Sequence, residues 1–152
     1  MPTRTARPAH RSAVQTAALA YGTVFLLIGI AGFIPGITTD YDTMRFIGHH
    51  SQAMLLGVFQ VSVLHNVVHL LYGGIGMVLT GSATSARHYL LWGGVVYLGL
   101  WIYGLLSGQD SAANFVPLNP ADDWLHLVLG VTMVGLSFLP RAPHRTATGP
   151  TH

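Results

Sequence analysis

The sequence predicts an all-α fold: an integral membrane four-helix bundle with both termini in the cytoplasm. Three observations predict it. The chain of 152 residues is 51% hydrophobic and 8% charged, whereas a soluble domain carries about 25% charged residues. Its apolar residues fall into four long runs, about 16–37, 61–80, 89–106 and 120–139, each near the roughly 20 residues that cross the hydrocarbon core as a helix. Its arginines are one-sided. With four spans, Arg4, Arg7, Arg11, Arg87, Arg141 and Arg145 share one face, and Arg45 alone lies on the other. The positive-inside rule then assigns both ends to the cytoplasmic side of a multi-pass cell-membrane protein.

Residues 1–13 read as a flexible basic arm, because Pro2 and Pro8 discourage a helix there. The run from Thr16 to Ile37 carries no charge. It exceeds the roughly 7–15 apolar residues of a secretory signal, and no small-residue cleavage site follows, so it reads as an uncleaved first span. Residues 38–58 form the longest connection; its second part, SQAMLLGVF, is apolar enough to lie on the membrane surface or to begin the next helix early. Gly81 and Ser82 open a short turn between the second and third spans. SGQDSAANFVPLNP, rich in turn residues, separates the third from the fourth. The fourth start is well marked: Asn119 suits the cap, Pro120 the first helical position and Asp122 the first turn. Residues 14–140 thus form one transmembrane domain, and 141–152 a polar tail.

Composition also excludes some classes. With no cysteine, disulfides, iron–sulfur clusters and Cys-based zinc sites are out. All seven cations are arginines scattered singly, and a net charge of +2 forms no basic stripe, so a nucleic-acid partner is not expected. The expected partners are the lipid bilayer and either other membrane proteins or further copies of the chain. Glycines recur inside the spans, among them Gly29, Gly73, Gly94 and Gly130. They predict close packing of the four helices on one another ahead of a dimer interface. HLLYG (His69 to Gly73) echoes HLVLG (His126 to Gly130), which suggests two similar hairpins related by an axis along the membrane normal.

Polar residues inside a membrane are the first place to seek chemistry. His65 and His69 share a face of the second span, about 6 Å apart along the axis. His126 lies about one turn inside the fourth span, and Asp122 and Asp123 can reach its ring on the same helix. The expectation is that His65, His69 and His126, with Asn66 and Asp123, converge into one polar cluster near the outer surface and face the NFVPLN loop. Three readings of that cluster stand open: a structural polar knot, a transition-metal or haem site using His65, His69 and His126, and a site for a lipid, quinone or other small molecule. No nucleophile–base pair or phosphate-binding loop appears. The function this favours is non-enzymatic, structural or accessory to a larger membrane assembly.

Three segments carry a resemblance: LGVFQVSVLHNVVHLLYGGIGM (Leu56 to Met77), YLLWGGVVYLGLWIYGL (Tyr89 to Leu105) and SAANFVPLNPADDWLHLVLGVTM (Ser111 to Met133). They resemble the actinobacterial membrane family catalogued as domain of unknown function 4383, over about Thr16 to Leu139. The most specific pieces are LHNVVHL and NFVPLNPADDWLHL. The resemblance implies a four-helix membrane protein and no particular activity. It also implies that His65, Asn66, His69, Asn114, Asn119, Asp123 and His126 belong to the family's pattern.

Overall fold

The computed structural model describes residues 11–108, 111 and 113–141. Its elements are α1 (Ala13–Ala31), β1 (Thr38–Thr39), a single 3-10 turn (Tyr41–Thr43), β2 (Met54–Leu55), β3 (Phe59–Gln60), α2 (Val63–Leu79), α3 (Ala83–Ser107) and α4 (Pro120–Leu136). The fold is mostly helical. Two helices, α1 and α3, are long and apolar enough to cross a membrane, and α2 is a shorter apolar helix.

The helix ends have local causes. At the start of α1 the Gln15 side chain accepts from the Ser12 backbone N–H at 3.0 Å and donates to the Thr80 carbonyl at 2.8 Å, tying that start to the end of α2. The first apolar run extends to Ile37, but α1 stops at Ala31. Pro35 lacks an amide hydrogen, its ring clashes with the carbonyl four residues back, and it disfavours helix at Ile34. Ser82 accepts from the Ser85 N–H at 3.0 Å, so α3 begins at Ala83, six residues ahead of the expected Tyr89. α4 starts as the sequence indicates. Asn119 Oδ1 accepts from the Asp122 N–H, Asp122 Oδ2 accepts from the Asn119 N–H, each at 3.0 Å, and Pro120 occupies the first turn.

Of the two expectations for SQAMLLGVF, the early start of the next helix needs correction: residues 54–60 form β2, a turn and β3, and α2 begins only at Val63. β1, β2 and β3 pair antiparallel in that order, with Thr38 opposite Leu55 and Leu55 opposite Phe59. Leu56 (φ 55°) and Gly57 (φ 68°) make the tight reversal. Ala53, Leu55 and Val61 are buried against Ile28, Ala31 and Met44. This small cap thereby seats on the end of α1.

α1 packs chiefly on α2, and α3 on α4. Both pairs use glycine for close approach. A Cβ at Gly73 would lie 2.6 Å from Leu26 N and 2.7 Å from Gly22 O; one at Gly130 would lie 3.0 Å from Leu98 N, and one at Gly94 2.8 Å from Gly130 O. The core between the pairs holds Phe25, Leu90, Tyr97 and Met133.

The two pairs are equivalent. α2 and α4 are both 17 residues long at a constant offset of 57 (Val63 to Pro120, Leu79 to Leu136). Their N-caps, Ser62 and Asn119, and their C-caps, Thr80 and Ser137, keep that offset. In α1 and α3 the offset is 72: Gly22 matches Gly94, Leu26 matches Leu98 and Gly32 matches Gly104. Phe25 then matches Tyr97, and these two rings stack on each other at 5.3 Å and 9°. The five-residue echo in the sequence therefore extends into a repeat of the helix contacts.

Candidate functional site

The repeat brings the histidines of α2 and α4 to the middle of the molecule. His69 lies against Phe25 at 5.7 Å between ring centroids, and the equivalent His126 lies against Tyr97 at 5.2 Å. His65 meets His69 edge-on at 4.5 Å, as their i, i+4 spacing on one helix face requires. All three imidazoles are buried.

They form the shared wall of two chambers. The larger, about 180 Å³, lies between α1 and α4 under the cap and is lined also by Ile28, Phe59, Asp122, Leu125 and Leu129. The smaller, about 110 Å³, lies between α2 and α3 and is lined also by Val68, Tyr97, Leu100 and Val116. Ile28 and Leu100 are equivalent in the repeat, as are Leu125 and Val68, so the chambers are themselves related by it. What closes them differs: the β hairpin covers the larger, and the loop before α4 reaches the smaller at Val116.

The walls are apolar apart from the imidazoles and Asp122. Nδ1 of His65, of His69 and of His126 is buried with no hydrogen-bond partner. Each such atom costs about 1–3 kcal/mol if it stays unpaired. Asp122 is held by the Asn119 N–H and by the Gln60 N–H, both at 3.0 Å, so one carboxylate joins the start of α4 to the cap.

The seven residues singled out from the sequence are therefore divided. His65, His69 and His126 share both chambers. Asn66 does not join them: one residue further round α2, about 100° away, its side chain fills the space over Gly32, the C-cap of α1, and reaches Met44 Sδ at 3.9 Å. Asp123, equivalent to Asn66, likewise turns to Gly104 of α3. Asn119 caps α4 and donates to the Val58 carbonyl at 2.8 Å, pinning the hairpin. Asn114 braces its own loop, accepting from the Leu118 N–H at 3.1 Å and donating to the Leu118 carbonyl at 3.2 Å. Asp122 is the lining residue left out of that set. Its spacing of four before His126, matching His65 before His69, was the available signal. His49 and His50 touch each other at 4.0 Å in the cap, away from the chambers. His10, His144 and His152 lie outside the described residues.

The metal and haem expectations do not fit this geometry. Among the described residues no group of three or more His, Asp or Glu side chains is arranged to hold a metal ion. The larger chamber also falls below the roughly 300–1,000 Å³ of pockets that take drug-sized molecules, too little for a porphyrin between two rings.

The chain is thus a small, mostly helical protein with a chamber between its helices. The chain belongs to the family described as Domain of unknown function (DUF4383), whose model matches residues 15–139. No curated protein and no solved structure matches it.

Proposed function

We propose that the chain is a four-span protein of the cell membrane, with both termini cytoplasmic, that holds a small, largely apolar molecule between its helices, by itself or as an accessory part of a larger assembly. The membrane reading rests on an inside-out surface. Every helix exposes large apolar side chains: Leu27 on α1, Val78 on α2, Leu106 on α3 and Val128 on α4. Their charged residues are confined to the starts of α3 and α4, at Arg87, Asp122 and Asp123. At 17 residues, α2 and α4 sit at the short end of the 17–25 that span a bilayer. A reporter fused after His152 is expected to behave as cytoplasmic, and an external tail would sink the topology.

The binding reading rests on one observation: three buried imidazoles with unpartnered nitrogens wall a chamber whose lining is apolar apart from them and Asp122. A mostly apolar cavity with a few convergent polar groups is the usual form of a small-molecule site. The one carboxylate at the chamber is anchored through Oδ2 by two backbone N–H groups, which makes it a fixed part of the wall and leaves Oδ1 to face a ligand. The test is solvent extraction of the protein purified in mild detergent, beside a Leu129→Trp variant that fills the larger chamber. A compound that accompanies the wild type and is depleted from the variant is expected. Identical extracts would count against binding.

A further inference from the structure

Resting on that binding reading, we infer that the chamber between α1 and α4 takes a single hydroxylated aromatic ring, of the phenol or quinol type, that enters from the bilayer through the seam between these two helices.

Size sets the ring. An engineered apolar cavity of about 150 Å³ holds one benzene, so the 180 Å³ chamber admits one six-membered ring and the 110 Å³ chamber does not. Flat partners line it: the imidazoles, backed by the stacked Phe25 and Tyr97, and Phe59 of the hairpin.

Polar chemistry sets the hydroxyl. A neutral imidazole carries one donor and one acceptor nitrogen, and an ionised carboxylate only accepts. A hydroxyl both donates and accepts, so it satisfies a ring in either tautomer and can also donate toward Asp122. A quinone offers acceptors alone, so it can serve an imidazole N–H but leaves an imidazole's acceptor nitrogen unserved. A plain hydrocarbon ring leaves every imidazole unserved. Rotation about the last side-chain torsion of histidine is broad and two-fold, so Nδ1, now without a partner, can turn toward the chamber.

The route follows from the packing. α1 and α4 belong to different hairpins and make little direct contact. The seam between them is pinned at one end by Tyr21 Oη and Thr132 Oγ1, 2.6 Å apart, and at the other by the cap, where the Gln60 N–H meets Asp122. The chamber lies between the pins, beside half-buried Ile28, Leu125 and Leu129. Leu56, in the left-handed region and largely exposed, stands at its rim. A ring with a hydrocarbon tail could seat its head in the chamber and trail the tail through the seam.

The experiment compares three matched probes on the full chain in nanodiscs: propylbenzene, 4-propylphenol and 2-propyl-1,4-benzoquinone. The phenol is expected to bind about tenfold tighter than the hydrocarbon, the worth of roughly one buried hydrogen bond. His69→Gln and Asp122→Asn should each shrink that ratio while propylbenzene affinity holds. Equal affinity for propylbenzene and the phenol would overturn the ligand class and leave the binding reading standing. No binding of any probe, in wild type as in Leu129→Trp, would overturn both. Zn²⁺ taken up at the histidines in place of the phenol would also overturn it. To separate the two sources of a hydroxylated ring, a quinol with an isoprenoid tail is added to the lipid. Displacement of the phenol supports entry from the bilayer, and undiminished phenol binding overturns that route.

Discussion

Gly73→Ala is the sharpest probe of how the halves are built. The new Cβ would stand 2.6 Å from Leu26 N and 2.7 Å from Gly22 O, whereas ordinary contact begins at 3.4 Å, so α1 and α2 must part by about 0.8 Å. Both obstacles are backbone atoms, and no side-chain rotation relieves them. Overpacking of this kind costs about 1–3 kcal/mol, and the separation also removes dispersion contacts along the interface. Gly74→Ala is the internal control, because a Cβ there meets nothing within 4 Å. It should be neutral or stabilising by up to ~1 kcal/mol, since alanine loses less backbone entropy in a helix. Reversible unfolding in mixed detergent micelles, followed by circular dichroism, reads both. If the two variants unfold alike, the close α1–α2 crossing is wrong. Gly130→Ala should destabilise the second hairpin in the same direction but by less, because the nearest backbone atom, Leu98 N, lies 3.0 Å from the added carbon and the closer atoms belong to the Leu98 side chain.

Asp122→Ala removes the acceptor of the Gln60 and Asn119 N–H groups and should cost about 1–3 kcal/mol; faster hydrogen exchange at the Gln60 amide is the specific readout, and an unchanged rate would show that this bond does not seat the cap. Asp123→Asn should be neutral or stabilising in the same unfolding assay, because Asp123 Oδ1 is buried without a partner and Asn66 fills the equivalent place. A loss above about 1 kcal/mol there would point to a partner for the charge, since a hydrogen bond to a charged group is worth about 1.5–3 kcal/mol. Tyr21→Phe removes the pin at one end of the α1–α4 seam; Thr132 keeps its 2.6 Å bond to the Val128 carbonyl. The loss should therefore stay below about 1.5 kcal/mol, and the phenol should exchange faster with its on-rate raised. An unaltered on-rate would argue against entry by that seam.

The helices were legible because hydrophobic runs and capping residues are local signals. Asn119, Pro120 and Asp122 mark the start of α4 within four residues, and the structure uses all three. The β cap was illegible for the opposite reason. Its strands are two residues each, too short for the alternation over 4–8 residues that identifies a strand. Their pairing is instead set by the reversal at Leu56 and Gly57 and by contacts with α1. The end of α1 was misjudged because Ile34 and Ile37 continue the apolar run past Pro35, and hydropathy is blind to the helix-breaking ring. At the site, spacing of four found His65 with His69, but adjacency in sequence misled for Asn66 and Asp123. Neighbouring residues on a helix point about 100° apart, and only tertiary packing decides that Gly32 and Gly104 leave room for them. The metal expectation counted three imidazoles on shared faces, and the fold brings them to one wall without arranging three of them to hold one ion.

The repeat explains where the chamber can be. Matched positions do matched work through the middle of the bundle: Gly22 and Gly94 admit the partner helix, and Phe25 and Tyr97 stack where the two halves meet. A glycine at a close crossing cannot change in one half without moving a backbone, so packing holds these positions alike. The halves diverge toward the cap end. His65 stands where the other half has Asp122, and the hairpin of residues 54–60 stands where the other half has the loop before α4. Both differences fall on the chamber walls. They enlarge one chamber over the other, 180 against 110 Å³, and set a carboxylate beside only the larger. Two equal halves would offer two equal pockets facing opposite seams. The unequal ends leave one pocket that is ring-sized, roofed and polar on one wall, and the ligand chemistry proposed for it follows from that asymmetry.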